Sequence, residues 1–173
     1  MFTKNSRNRY DRKDSLELGR NAESRFAASA IKHGWTVEPA PEDSNINEHF
    51  DYVMSKDEKS FRVEVKSRKR VGRGDPNVQD KRVWVELHSV RKDDKGWLYG
   101  KADLIAFEMT DSFRIVRRAD LADLVERIVD FNARVSKSSE ALYKLYSRPG
   151  RYDLLAMIRS DDLLRITSLE WSK

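Results

Sequence analysis

Ser60-Phe61-Arg62-Val63-Glu64-Val65-Lys66 alternates apolar and charged residues with a period of two, the pattern of a strand with one apolar face. Phe61, Val63 and Val65 fall on one side and Arg62, Glu64 and Lys66 on the other. A carboxylate and an ammonium therefore share a face, roughly 7 Å apart on a strand rising about 3.3 Å per residue. The preceding apolar stretch, His49 to Ser55, carries Phe50-Asp51. If the two stretches pair, Asp51 brings a second carboxylate to the same spot. Two carboxylates with no paired base are a poor structural choice and a good cradle for a hard divalent cation, which prefers oxygen ligands and keeps water in its other positions.

Upstream, Asp14 or Ser15 reads as a helix cap, with Glu17 placed for a capping-box return bond. Ala22, Phe26, Ala30 and Ile31 keep one helical face apolar, and Gly34 reads as a left-handed terminator. Glu23 sits beside that stripe and can point to the sheet edge. Its plainer role is to complement the helix dipole, and Glu17 competes with it for a place at the site.

The order Gly19-Arg20-Asn21-Ala22-Glu23, Gly34-Trp35, the Asp51 strand and Glu64-Val65-Lys66-Ser67-Arg68-Lys69 resembles the PD-(D/E)XK nuclease superfamily. Over residues 16–70 it is most similar to the archaeal-type Holliday junction resolvases. Phe50 stands where a proline is expected before the aspartate. The resemblance implies an α/β fold with a restriction-endonuclease-like core, a mixed central β-sheet flanked by helices. It also implies an active site of Glu23, Asp51, Glu64 and Lys66. The metal ligands would be Asp51, Glu64, the Val65 carbonyl and Glu23, and the cofactor Mg²⁺ or Mn²⁺. The implied activity is a metal-dependent endonuclease cutting phosphodiester bonds in DNA, of the kind used in recombination. Resolution of a branched junction would require a homodimer. The alternatives are a restriction, repair or phage-type endonuclease acting on DNA or RNA, and an inactive nucleic-acid-binding module of the same fold. For an isolated Glu-x-Lys, an exposed ion pair of little energetic worth is the simpler account.

The chain has 173 residues, 36% of them charged, with a net charge of +5, which favours a polyanionic partner. Distribution says more than the total. Residues 62–73 hold Arg62, Lys66, Arg68, Lys69, Arg70 and Arg73 against the single acid Glu64. Within the polar, glycine-containing stretch 67–82, Arg68, Lys69, Arg70 and Arg73 are the candidate phosphate contacts. The absence of cysteine excludes disulfides and thiolate zinc sites. No apolar run approaches the roughly 20 residues that span a bilayer, and no signal-peptide core is legible at the start. A soluble cytoplasmic protein without a membrane partner is the expectation.

Residues 1–14, with Lys4, Arg7, Arg9, Arg12 and Lys13, read as a basic arm, and 15–173 as one domain. Residues 38–48 read as a polar loop. Val83 to Leu87 alternates as a strand, with Trp84 and Glu86 on one face. Glu86 and His88 are near enough in chain order to be weighed for the metal site, but Glu86 reads as a surface group or one that supports the site from behind its ligands, and His88 as a strand end. Gly96 to Gly100 is an aromatic turn anchored in the core. Ala102 to Met109 is the most apolar run and predicts a central strand. Phe113 to Val116 predicts another strand. Leu121, Leu124, Val125, Ile128 and Val129 predict an amphipathic helix. Residues 116–121 are echoed at 158–163, each a strand end entering a helix or turn. The stretch 137–151 reads as polar and broken at Pro149-Gly150, with Leu169 and Trp171 returning to the core.

Overall fold

A computed structural model describes residues 4–72 and 75–173, with side chains from Ser15 onward. The chain opens with α1 (Lys4–Lys32), β1 (Thr36–Pro39), a short helix α2 (Glu42–Glu48), β2 (Tyr52–Lys56) and β3 (Lys59–Lys66). Beyond the basic loop come β4 (Arg82–His88), a 3-10 turn (Trp97–Tyr99), β5 (Leu104–Glu108), β6 (Ser112–Arg117) and α3 (Arg118–Ile128). Then follow β7 (Asp130–Val135), a 3-10 turn (Ser138–Glu140), β8 (Lys144–Ser147), β9 (Leu154–Arg159), a further 3-10 segment (Ser160–Arg165) and β10 (Ser168–Ser172).

These strands make a mixed α/β fold with two sheets. The first is six-stranded in the order β1-β2-β3-β5-β6-β10, and the second four-stranded in the order β4-β9-β8-β7. In the first sheet β3 and β5 run parallel, Val65 opposite Ala106, while the other neighbours are antiparallel. Parallel neighbours need a crossover. Here the crossover carries the basic loop, β4 and the first 3-10 turn, so the second sheet is anchored beside the end of β3.

The alternation of β3 decides how the layers stack. Val63 and Val65 face α1, whose Ala22, Phe26 and Ala30 close one core with Ala106, Phe113, Ile115 and Trp171. Phe26 meets Phe113 edge to face, with centroids 5.5 Å apart, and is fully buried, worth about 1.5–3 kcal/mol in transfer alone. A second core gathers Ile105, Phe107 and Val116 with Leu121 and Val125 of α3 and Val83, Val85 and Leu87 of β4. Gly34, at φ 87°, ends the α1 region as expected, with the Trp35 N–H donating to the Ala30 carbonyl at 3.0 Å. Central β5, β6 and α3 also match their patterns, and the echoed segments are the β6–α3 and β9–3-10 junctions. Trp171 is buried.

Several expectations differ. The helix starts at Lys4, so Asp14 and Ser15 lie within it rather than capping it, and the backbone of positions 4–14 is helical. Residues 1–3 and the side chains of Lys4, Arg7, Arg9, Arg12 and Lys13 fall outside the described set. Ile31 is 60% exposed, because the apolar stripe of α1 ends at Ala30. The stretch 38–48 holds α2. Pro41 enters it with φ −55°, Glu42 and Asp43 occupy its first turn, and His49 closes it at φ 58°, so proline and helix-dipole effects outweigh its polarity. The polar stretch 137–151 contains β8, held between β7 and β9. Leu169 is exposed. Among the described residues no helix is long and apolar enough to cross a membrane.

Candidate active site

The antiparallel register of β2 on β3 sets Tyr52 opposite Val63, which leaves Asp51 at the point where β2 has not yet begun and β3 still runs on. The Asp51 N–H donates to the Val63 carbonyl at 2.8 Å. Its side chain then replaces the missing strand: the Val65 N–H donates to Asp51 Oδ2 at 2.7 Å. Asn45 of α2 donates from Nδ2 to Asp51 Oδ1 at 2.9 Å and to the Phe50 carbonyl at 3.3 Å. In an extended residue the N–H and C=O point to the same edge, so the Val65 carbonyl is turned to the Asp51 side.

Glu64 and Lys66 lie on the opposite face of β3 from the α1 core, as their spacing predicts. Glu64 is 7% exposed, and its Oε1 pairs with Lys66 Nζ. The Lys66 ammonium also stands 5.1 Å from the centre of the Trp97 ring. Trp97 is itself buried and held by the 3-10 turn.

The electrostatics are those of a crowded acidic centre. Burial pushes the Asp51 carboxyl up to about 7, and the Glu64 carboxylate adds to the rise against the pull of Lys66, the Val65 N–H and Asn45. Burial and then Asp51 raise Glu23, with Lys66 and Arg20 opposing. The Tyr52 hydroxyl is raised by burial and then by Glu23 and Asp51. Burial opposes the charge on Lys66, yet Glu64, Asp51 and Glu86 hold its pKa above the ordinary value. Lys66 is therefore an ammonium at neutral pH.

Asp51, Glu64 and Lys66 are thus brought together, and Glu23 of α1 feels both Asp51 and Lys66. Among the described residues no three Asp, Glu, His or Cys side chains form a ready-made metal cluster. The donors available are carboxylate oxygens and the edge-turned Val65 carbonyl, the set a hard divalent cation takes alongside water. Burial first and Glu64 second make the charged form of Asp51 costly, a cost that a bound cation would offset. These residues therefore fit the expected Mg²⁺ or Mn²⁺. Glu17 is exposed on α1. His88 turns Nδ1 to the Ser89 carbonyl at 2.8 Å.

Glu64 and Lys66 open into a cleft of about 740 Å³ that the basic loop and the second sheet enclose. Arg68, Lys69 and Arg70 line it, as do Arg82 and Arg148, whereas Asp51 and Glu23 do not. Arg73 lies outside the described residues. Of the two roles the sequence leaves open for Glu86, the surface one does not hold: it is a half-buried wall of this cleft, behind Lys66. It accepts the Trp97 N–H at 3.3 Å, and burial raises its carboxyl while Lys66 opposes. Its alternation with Trp84 gave the face correctly. The fold of β4 beside β3, which no local pattern encodes, makes that face an interior one. Asn45 was also missed, since its role depends on α2.

Buried Glu108 on β5 gathers cations at the same end of the sheet. Arg25 Nε donates to it at 2.6 Å, and Lys173 Nζ lies at 3.2 Å. Arg68 Nε stands 3.9 Å away. Glu108 thereby ties the root of the basic loop to α1 and β10. Compared with known proteins, the chain matches no family model, no curated protein and no solved structure.

Proposed function

We propose that the chain is a Mg²⁺- or Mn²⁺-dependent endonuclease that hydrolyses phosphodiester bonds in DNA, on a restriction-endonuclease-like core of the PD-(D/E)XK kind. The observation that carries this reading is the meeting of Asp51, Glu64 and Lys66 at one strand end, with Asp51 raised to about 7, beside a cleft edged by Arg68, Lys69 and Arg70. A surface ion pair would not need a buried glutamate or a second carboxylate beside it.

Asp51, Glu64 and the Val65 carbonyl, with Glu23 reaching from α1, are the groups that would hold the cation. When bound, the cation supplies Lewis acidity, lowering the pKa of water and offsetting phosphate charge. Lys66, protonated throughout, acts as an electrostatic stabiliser rather than a general base. As the water oxygen bonds to phosphorus and gives its proton to bulk solvent, the bridging oxygen leaves with its electron pair and takes a proton from solvent, and negative charge grows on the phosphoryl oxygens between these events. The Lys66 ammonium exchanges its Glu64 partner for one of them. Arg68, Lys69 and Arg70 hold neighbouring phosphates and so fix where the backbone lies.

The test is a cleavage panel on a four-way junction, a duplex, single-stranded DNA and RNA, each with Mg²⁺, Mn²⁺ or EDTA. The expected result is DNA cutting that needs the metal. Paired symmetric nicks confined to the junction assign a dimeric resolvase. Salt-sensitive binding without cutting in any arm would reduce the protein to a nucleic-acid-binding module.

A further inference from the structure

Trp84 of β4 and Tyr146 of β8 stand together in the same cleft, with ring centroids 5.3 Å apart and planes at 46°. Both are half-buried, both line the cleft, and neither belongs to either apolar core or packs against one. Rings of this size normally contribute by burial. Here they are withheld from the cores and turned to the space that Lys66 also faces. Trp84 shares its face of β4 with Glu86, two residues along or roughly 7 Å, and Glu86 is among the carboxylates that hold Lys66 charged. Arg68 and Arg148 line the same cleft, Arg68 standing 3.9 Å from Glu108 and Arg148 paired with Asp153, so that both guanidiniums are fixed at its wall. A guanidinium carries five N–H donors, and those left over from such a pairing fit a phosphate oxygen well.

We infer that the cleft binds an unpaired stretch of DNA, one base stacking on the Trp84–Tyr146 pair while adjoining phosphates meet Arg68 and Arg148 and run to Lys66. This rests on the nuclease reading of Glu64 and Lys66 and adds its substrate class: DNA with an unpaired nucleotide next to the bond that is cut. A base inside a duplex hides its ring face between neighbours, whereas a splayed base offers it to an aromatic platform. Size agrees. A cleft of about 740 Å³ falls within the roughly 300–1,000 Å³ of sites that enclose small molecules, enough for one or two nucleotides and not for a double helix.

The experiment measures fluorescence anisotropy of the full chain in EDTA with three labelled ligands: a short oligothymidylate, the same backbone with abasic positions, and a blunt-ended duplex without unpaired bases. The base-bearing strand should bind about 5- to 100-fold more tightly than the abasic one, the range expected for one stacked base. Trp84→Leu and Tyr146→Leu should erase that preference, Trp84→Phe should keep most of it, and duplex binding should not change. Equal affinity of the wild-type chain for base-bearing and abasic strands overturns the inference without recourse to any variant. Because no cutting is needed, the two readings fail separately. Metal-dependent cleavage without base preference removes only the stacking site, and base preference without cleavage removes only the nuclease.

Discussion

Asp51 does three jobs at one position, since it completes the edge of β3, receives Asn45 and stands beside Glu64. Its raised pKa gives a pH dependence of definite sign. Between its ordinary 3.8 and about 7 the folded chain holds a proton that the unfolded chain releases. The stabilisation is therefore complete below the ordinary value and is lost as pH rises through about 7. Asp51→Asn does not titrate, so above pH of about 7 it should be more stable than the wild type by on the order of 1–4 kcal/mol, read as a higher melting temperature. Added Mg²⁺ should narrow that gap by stabilising the wild type alone, about 2.7 kcal/mol at a hundred times its Kd. Thermal melts across pH with and without Mg²⁺ check both statements. In cleavage assays Asp51→Ala and Glu64→Ala should each lower the rate by about a thousandfold or more. Lys66→Met should cost about 10²–10³-fold. DNA binding in anisotropy should stay near wild type for the two carboxylate variants, because the basic loop supplies it; parallel loss of binding and cutting would mean the site lies elsewhere.

At the scale of elements, the junction of β4 with the first 3-10 turn is where packing controls chemistry. Gly96 lies so close to β4 that a Cβ there would sit 2.1 Å from the Glu86 carbonyl oxygen. Gly96→Ala should therefore push the turn and Trp97 away from Glu86 and Lys66, costing about 3 kcal/mol or more. Denaturant unfolding measures the loss, and a tolerated alanine would contradict the close approach. This junction also marks where sequence reading stops. β3, β4, β5, β6 and α3 are legible because each carries its own period of two or 3.6, and so Glu64, Lys66 and the face of Glu86 are legible too. α2, β7 and β8 are not, because their short polar segments are held by neighbours rather than by their own pattern. Asn45 and the Trp84–Tyr146 pair inherit that opacity. Their roles depend on which strands lie side by side, information carried by long-range packing alone.

Across the whole molecule, a net charge of +5 becomes useful only because the cleft gathers Arg68, Lys69, Arg70, Arg82 and Arg148. If three to five of them meet phosphates, the logarithm of single-strand affinity should fall against log salt with a slope of about −2 to −3.5. A salt titration reads it directly, and a flat response would place DNA on another surface. The parallel pairing of β3 with β5 has a different consequence. Glu64 and Lys66 sit on a strand whose inner neighbour arrives only after the chain has laid down the basic loop, β4 and the 3-10 turn. Contacts that close so large a loop are slow to form. A half-collapsed chain can thus set Asp51 beside β3 through the β2–β3 hairpin alone, yet it lacks the cleft, Glu86 and Trp97 that flank Lys66 until the crossover has closed.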